Sequence, residues 1–272
     1  MSVFGITMVK DEADVIAGVL GHMAAHVDHL IVADNGSTDG TLNILWGLLP
    51  DLPLTIVDDP DVAYYQSHKM TALANRAAAM GATWIVPFDA DELHYPTDGR
   101  LLREALPAEG LPVVRIDILN HLRTALDVDD PDPFWSMVYR QPAPQALGKV
   151  AFRWELGAVI HQGNHGVTLP ISDPHGDLQS GVDGGRYALR HFPIRSANHL
   201  IRKALNGGAA YAAIPDSPPE QGGHWKGWYD ILRANGEDAL REAFQAGWFY
   251  PDPDAAGLVR DAAPYLSTRN PR

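Results

Sequence analysis

The chain has 272 residues, 46% of them hydrophobic and 20% charged, the composition of an ordinary globular protein able to bury about three quarters of its unfolded surface. Its 21 Lys and Arg against 34 Asp and Glu leave a formal charge of −13, which repels phosphate backbones and anionic lipid and argues against nucleic acid as a partner. With no cysteine there are no disulfides, thiolate metal sites or cysteine nucleophiles; with no basic, apolar leader at "MSVFGITMVKDEADVI" and no apolar run of roughly 18 residues, the expected location is cytoplasmic, without a transmembrane segment.

The apolar run from Val3 to Val9 reads as a buried strand, and Val15, Val19, Leu20 and Met23 follow at helical spacing. Leu30 to Ala33 repeat the pattern: a strand, a polar turn in which Thr38 or Asp39 can cap, then a helix through Leu42, Leu45 and Leu49. "LTIVDD" is a third strand, a helix runs from about Ser67 to Met80, and Trp84 to Phe88 form a fourth strand. Strands alternating with helices predict an α/β fold with a mostly parallel central sheet and right-handed crossovers. Beyond Asp98 come a short helix near Leu101 to Leu106, the alternating strand "VVRIDIL" and a loop at "DVDDPDPF". Strands are expected at Lys149 to Arg153, Ala158 to His161 and Tyr187 to His191, and the chain is helical again from Ser196. The segment from Gln162 to Gly185 is longer than connecting loops usually are and reads as a functional element. No linker or repeat divides the chain, so one domain over 1–272 is expected, with halves at 1–98 and 99–195 and a helical cap over 196–272.

"WIVPFDADELHY" places Asp89, Asp91 and Glu92 directly after an apolar strand. Acids at the carboxyl edge of a sheet repel one another unless water or a cation joins them, and that edge is where such sheets bind ligands. In an extended segment positions i and i+2 share a side, so Asp89 and Asp91, flanking Ala90, can face one hard cation such as Mg²⁺ or Mn²⁺ shared with a substrate's phosphates. A solvated turn is the plainer reading of a bare D-x-D. "HQGNH" has i, i+4 histidines, but Gly163 breaks a helix and no Glu follows His161, so it does not match a zinc helix. "ADNGSTDG" lacks the spacing and closing Glu of a calcium loop.

Taken together, "TMVKDEADVI", "HVDHLIVADNGSTDGT" and "KMTALANRAAAMGATWIVPFDADE" resemble the nucleotide-binding half of family 2 glycosyltransferases with the GT-A fold, in the subgroup reading N-E, D-N-G-S-T-D and D-x-D-E in that order. The match covers residues 1 to about 95. Beyond it, "GKVAFR", "GNHGV" and "RHFPIRSANHLIRKALNGG" are similar to later segments of the subgroup, with Phe192 for the usual Tyr and Lys10-Asp11-Glu12 for Lys-Asn-Glu.

The resemblance implies a GT-A-like, Rossmann-like domain moving a sugar from a nucleotide diphosphate to an acceptor hydroxyl on a glycan, lipid, protein or small molecule, with inversion. Asp89, Ala90 and Asp91 would embrace the donor's diphosphate, with Asp89, Asp91 and His191 as metal ligands. An imidazole in that set favours Mn²⁺ over Mg²⁺. The backbone of Thr7 or Met8 and the carboxylate of Asp34 would contact the base, UDP being placed ahead of GDP or dTDP. Glu12 would approach the ribose or cap the first helix, Lys69 would pair with a phosphate, and Glu92 would orient a ligand or Lys69. The general base falls among His165, Asp173, Asp177, Asp183 and Glu155, with His165 and Asp183 named first. His224, Trp225, Trp228, Trp248, Phe249 and Tyr250 would stack an acceptor sugar, close over the donor, or simply pack the terminal helices. The rivals are a nucleotidyltransferase, which normally carries a glycine-rich loop that "MVKDEAD" lacks, and a nucleotide-sugar-binding module without activity.

Overall fold

The computed structural model describes residues 1–61, 63, 65–127, 130, 132–178, 184–212, 223–248 and 251–262. Four strands, β1 (Val3–Val9), β2 (His29–Asp34), β3 (Leu54–Asp58) and β4 (Trp84–Pro87), form a wholly parallel group in the order β3-β2-β1-β4. The helices α1 (Ile16–His26), α2 (Thr41–Leu48) and α3 (Gln66–Ala79) connect them. This is the α/β architecture expected, with a parallel group of central strands in the N-terminal half and flanking helices.

Helical spacing decides which face each helix buries. Ile16, Val19, Leu20 and Met23 of α1 pack on one side of the sheet with Leu45 of α2. Met70, Leu73, Ala74 and Ala77 of α3 pack on the other with Ile6, Ile31 and Ile85. Residues of the central strands serve both faces, which is why β1 and β4 read as unbroken apolar runs rather than alternations. Trp84 and Phe88 are fully buried, each worth roughly 1.5–3 kcal/mol of transfer free energy. Asp39 braces the start of α2 by accepting from Thr41 N (3.0 Å) and Thr41 Oγ1 (2.6 Å). Gly40 itself occupies the cap at φ 101°, where a side chain would be strained.

After β4 the sheet turns antiparallel. The strands β6 (Val113–Leu122) and β8 (Lys149–Arg153) pair antiparallel with each other and β8 with β4. A strand unforeseen in the sequence, β5 (Glu92–Pro96), follows the acidic turn. Its sequence "ELHYP" opens on a charge and closes on proline, which hides it from a pattern reading. β5 pairs antiparallel with β11 (Tyr187–His191), and β11 pairs parallel with β6. The segment expected as one long loop after Gln162 contains β10 (Val167–Thr168), which pairs antiparallel with β9 (Val159–Ile160), and a bridge from Leu169 to Asp173. The "DVDDPDPF" segment ends in a single helical turn, α5 (Pro133–Ser136), which follows α4 (Leu102–Ala105), and β7 (Tyr139–Arg140) and β12 (Val259–Arg260) extend the sheet's edge. The expected terminal helices are α6 (Ala197–Ala212) and α7 (Gly223–Ala243), with Trp228 packed against Leu200, Ala204 and Leu232 in their own small core. Phe249, Tyr250 and the side chains of His224, Trp225 and Trp248 lie outside the described residues. Among the described residues no helix is long and apolar enough to cross a membrane.

Between α1 and the sheet lies a set of buried histidines. The rings of His22 and His26 stand 4.5 Å apart, and His22 Nε2–H donates to His94 O at 2.8 Å. Burial lowers His22 to about 3 and His26 to about 4, and burial likewise lowers His121 on β6 to about 4. The unfolded chain takes up protons on these groups near pH 6.5, which the folded chain refuses until about pH 3 or 4. Their contribution is therefore complete above pH 6.5, and stability falls as pH drops through that window by roughly 1.4 kcal/mol per unit for each group. Urea midpoints should decline between pH 7 and pH 4.5, and His26→Gln should lessen the slope by one proton; a midpoint insensitive to pH in this range would contradict the burial of these rings as neutral groups.

Candidate active site

A cleft of about 460 Å³ opens at the carboxyl ends of β1, β2 and β4, walled on its far side by α6. Strand register builds it. Val9 pairs with Asp34, and Asp34 with Asp58, so the β1–β3 tips form one row. His191, the last residue of β11, pairs with Glu92 on one side and Asn120 on the other, which carries it to Asp91 although 100 positions separate them in sequence.

Asp91 is buried, and its two oxygens have different neighbours. Oδ2 accepts from Lys203 Nζ at 2.6 Å, with Arg195 Nη1 3.8 Å away, and Oδ1 faces His191 Nε2 at 3.7 Å. Burial opposes ionisation of Asp91, but Lys203, His191 and Arg195 outweigh it and hold the carboxyl well below its ordinary range. His191 Nδ1–H donates to Asn120 Oδ1 at 2.8 Å. That bond keeps the proton on Nδ1 and turns the Nε2 lone pair toward Asp91. Burial lowers His191 against the pull of Asp91.

Asp89 faces the other way. Its Oδ2 lies 2.5 Å from Lys149 Nζ, and its Oδ1 accepts from Asn164 Nδ2 at 3.0 Å. Lys149, on β8, also contacts Glu92 Oε1 at 3.0 Å. Glu92 accepts through Oε2 from Asp89 N and from His94 Nε2–H, both at 3.0 Å. Burial raises Asp89, with the neighbouring charges of Glu92 and Asp91 overcoming Lys149, although a third of its side-chain surface stays open. Glu92 is driven down: burial resists, but Lys149 and His94 prevail. Glu92 thus orients Lys149, not Lys69.

The donor chemistry of Asp91 Oδ1 and His191 Nε2, two lone-pair donors facing each other across a cleft, fits a divalent cation. Asp89 is committed to Lys149 and Asn164, and among the described residues no three His, Asp or Glu side chains converge as a ready cage. Water and ligand oxygens would complete such a shell, as is usual for Mg²⁺ and Mn²⁺.

The other expected residues fall in several places. Met8, Glu12 and Ala90 line the cleft. Glu12 neither caps α1 with its side chain nor reaches freely into the opening: its carboxylate pairs with Arg195, and burial raises its pKa against that partner. Arg195 also grips Asp14 at 2.7 and 2.9 Å. Thr7 is fully buried and does not line the cleft, which leaves the Met8 backbone as the strand's contact with it. Asp34 accepts from Ser37 N at 3.1 Å through Oδ2, while its buried Oδ1 has no partner among the described residues. Lys69 does not line the cleft; it bonds Asp59 at 2.7 Å and the Asp61 carbonyl.

His165 does line the cleft and is exposed. Its Nδ1–H donates to Gly148 O at 2.8 Å, which leaves Nε2 as the acceptor. The ring lies over Gly163, where a Cβ would stand 2.5 Å from His165 Cδ2. Glu155 is spent on Ile171 N and Ser172 Oγ, and Asp173 is buried and accepts from Leu178 N; neither lines the cleft, nor does Asp177. Asp183 lies outside the described residues.

Lys10, Asp11, Lys149, Arg195 and Lys203 had no role in the sequence reading. Asp11 adopts φ 56°, and its carboxylate accepts from Thr38 N (2.6 Å) and Asn206 Nδ2 (2.8 Å), stitching the β1–α1 turn to the β2–α2 loop and to α6. Lys10 Nζ donates to Asn35 O at 2.9 Å in the same seam. The signal for the cations was present as an unbalanced charge: five acids at one rim require lysines or arginines from elsewhere.

No family model matches the sequence, and no curated protein does. Among solved structures the chain is similar to S. aureus TarS 1-349, at 12% identity and a TM-score of 0.44 over 99% of this chain and 100% of that one, and to the same protein in complex with UDP-GlcNAc with the same values. It is also similar to a candidate glucose-1-phosphate thymidylyltransferase from Bacillus anthracis, at 12% identity and a TM-score of 0.37 over 80% of this chain and 98% of that one.

Removing one member of a buried ionic group leaves the others uncompensated. Lys149→Met should therefore cost roughly 3–5 kcal/mol in urea unfolding, because Asp89 and Glu92 lose their shared cation. A loss within about 0.5 kcal/mol, the range of ordinary surface changes, would mean that Lys149 does not hold these two acids.

Proposed function

We propose that the chain is a glycosyltransferase that binds a nucleoside-diphosphate sugar in the cleft, with Mn²⁺ ahead of Mg²⁺ as cofactor, and moves the sugar with inversion to an acceptor hydroxyl. The observation that carries the reading is the meeting of Asp91 Oδ1 and His191 Nε2 at 3.7 Å on the rim of the sheet. The turn between β4 and β5 and the end of β11 deliver these donors, and Asn120 sets the tautomer of one of them. A solvated turn needs none of this.

We place the base subsite at the tips of β1 and β2, where Met8 and Asn35 line the cleft. Asp34 lies buried beside Asn35 and outside that lining, so a local opening would have to bring its orphaned Oδ1 to the ring N–H of a uracil or guanine. Asp91 and His191 would hold the cation, whose chemistry when bound is to offset the charge that grows on a departing diphosphate. Lys149 keeps Asp89 and Glu92 rigid behind that point, and the Ala90 backbone between them sits against the donor. His165 is the base we favour: with its proton committed to Gly148 O, its Nε2 can accept the acceptor hydroxyl's proton as the new glycosidic bond forms. Asp183, the other candidate, keeps its place as the alternative base.

The expected products separate this reading from nucleotidyl transfer: a sugar transferase releases a nucleoside diphosphate, whereas a nucleotidyltransferase releases pyrophosphate. With UDP-sugars and Mn²⁺ the full chain should release UDP, Asp91→Ala should abolish both the release and its dependence on Mn²⁺, and His165→Gln should lower transfer by about 10²–10⁴-fold while donor binding persists. Mn²⁺-stimulated turnover retained in Asp91→Ala, or pyrophosphate as the product, would refute the assignment.

A further inference from the structure

Asn164 had no role in the sequence reading, yet it stands between the acidic turn and His165. It is fully buried at φ 57°, and Gly163 before it has φ 73°, so two left-handed residues in succession make the turn that delivers His165. Asparagine tolerates that conformation better than most side chains, but glycine would make the same turn without burying an amide. The amide is bonded at one end only. Its Nδ2 donates to Asp89 Oδ1 at 3.0 Å, while its buried Oδ1 has no partner among the described residues, a cost that a turn by itself does not require.

A second bond lies in register with the first. Asp89 Oδ2 is 2.5 Å from Lys149 Nζ, and the residue before Lys149 is Gly148, whose carbonyl accepts from His165 Nδ1–H at 2.8 Å. Two neighbours on the loop, Asn164 and His165, thus meet two neighbours at the start of β8, the first through Asp89 and the second directly. On the other side Gly163 N donates to Gln66 Oε1 at 2.7 Å, which fastens the turn to α3. His165 is exposed, and a bond from an exposed ring to a carbonyl competes with water, so its alignment depends on how firmly the loop is held.

We infer that Asn164 positions His165: its amide bond to Asp89 fixes the loop at the register in which the ring's proton is committed to Gly148 O and Nε2 is left as the acceptor. The inference rests on the reading of His165 as the base, which requires Nε2 to carry no proton. Asn164 does not itself line the cleft; it is a positioning residue that acts through its neighbour. Without its bond the turn loses its register, and an exposed imidazole returns to the tautomer mixture of solution.

The test uses the full chain carrying Asn164→Gly, which keeps the left-handed turn and removes the amide. Asn164→Asp, which keeps the shape and the backbone preference but sets a carboxylate against Asp89, controls for the added flexibility of glycine and takes the same measurements if the glycine variant does not fold. In heteronuclear NMR of the imidazole nitrogens at mildly alkaline pH, His165 of the unaltered protein should be protonated on Nδ1, and both variants should show a mixture with the Nε2-protonated form. With a UDP-sugar and Mn²⁺, kcat should fall about 10–10²-fold, the scale of a misplaced catalytic group, while the donor KM is unchanged. An Nε2-protonated ring in the unaltered protein, or an unaltered tautomer in the variants, overturns the inference. So does a loss of Mn²⁺ or UDP affinity with the tautomer intact, which would mean that Asn164 serves Asp89 alone. If the tautomer shifts as expected but turnover is absent or does not follow it, the positioning stands and it is the reading of His165 as the base that fails.

Discussion

Five carboxylates, Asp11, Glu12, Asp89, Asp91 and Glu92, crowd the carboxyl rim of a parallel sheet, and the fold depends on how that charge is met. Each has a cationic or hydrogen-bonding partner contributed from beyond residue 37: Thr38 and Asn206 for Asp11, Arg195 for Glu12, Lys149 for Asp89 and Glu92, and Lys203 for Asp91. Desolvating one such group unpaired would cost several kcal/mol. The N-terminal half therefore cannot assume this rim alone. It is complete only when β8, the turn after β11 and α6 have docked, so the cleft and the tertiary structure form together.

The same constraint explains why α6 lies where it does. Apolar contacts pair it with α7, through Leu200, Ala204 and Leu232, and those contacts would hold the two helices to each other in any orientation relative to the sheet. Direction comes from polar groups. Arg195 reaches Glu12 and Asp14 ahead of the helix, Lys203 reaches Asp91 two turns in, and Asn206 reaches Asp11 nearly one turn later. Together they tie the turn before the helix and the helix itself to the acids that follow both β1 and β4. Packing supplies the affinity of the helix pair, and the ion pairs fix its register on the rim.

The parallel half was legible in the sequence because its strands are buried on both faces and its helices repeat at 3.6 residues; β1, β2, β3 and β4 were all recognisable from apolar runs alone. What escaped was encoded in pairings rather than runs. β5 begins with Glu92 and contains His94, both buried and both bonded to other polar groups, so its hydrophobic pattern is broken by residues that satisfy one another. The polar residues of the site divide the same way. Asp91 and His191 could be named because one follows a strand and the other ends one, at the edge of the sheet where ligands gather. Lys69 was a plausible phosphate partner by position, yet Asp59, 10 residues earlier, captures it. Local sequence shows which end of a strand a residue occupies; only three-dimensional register shows which charge it meets.

This distinction bears on how the site would evolve or be altered. The Asn120–His191–Asp91 line depends on β6, β11 and the turn before β5 keeping a fixed alignment, and β11 is pinned on both edges: antiparallel to β5 and parallel to β6. A slip of one residue would turn His191 to the opposite face of the sheet and leave Asn120 without its partner. A strand held on both sides resists such slips far better than an edge strand. The most exacting distance in the cleft is thereby assigned to the interior of the sheet, whereas Lys203 and His165 stand on a helix and a loop at its border.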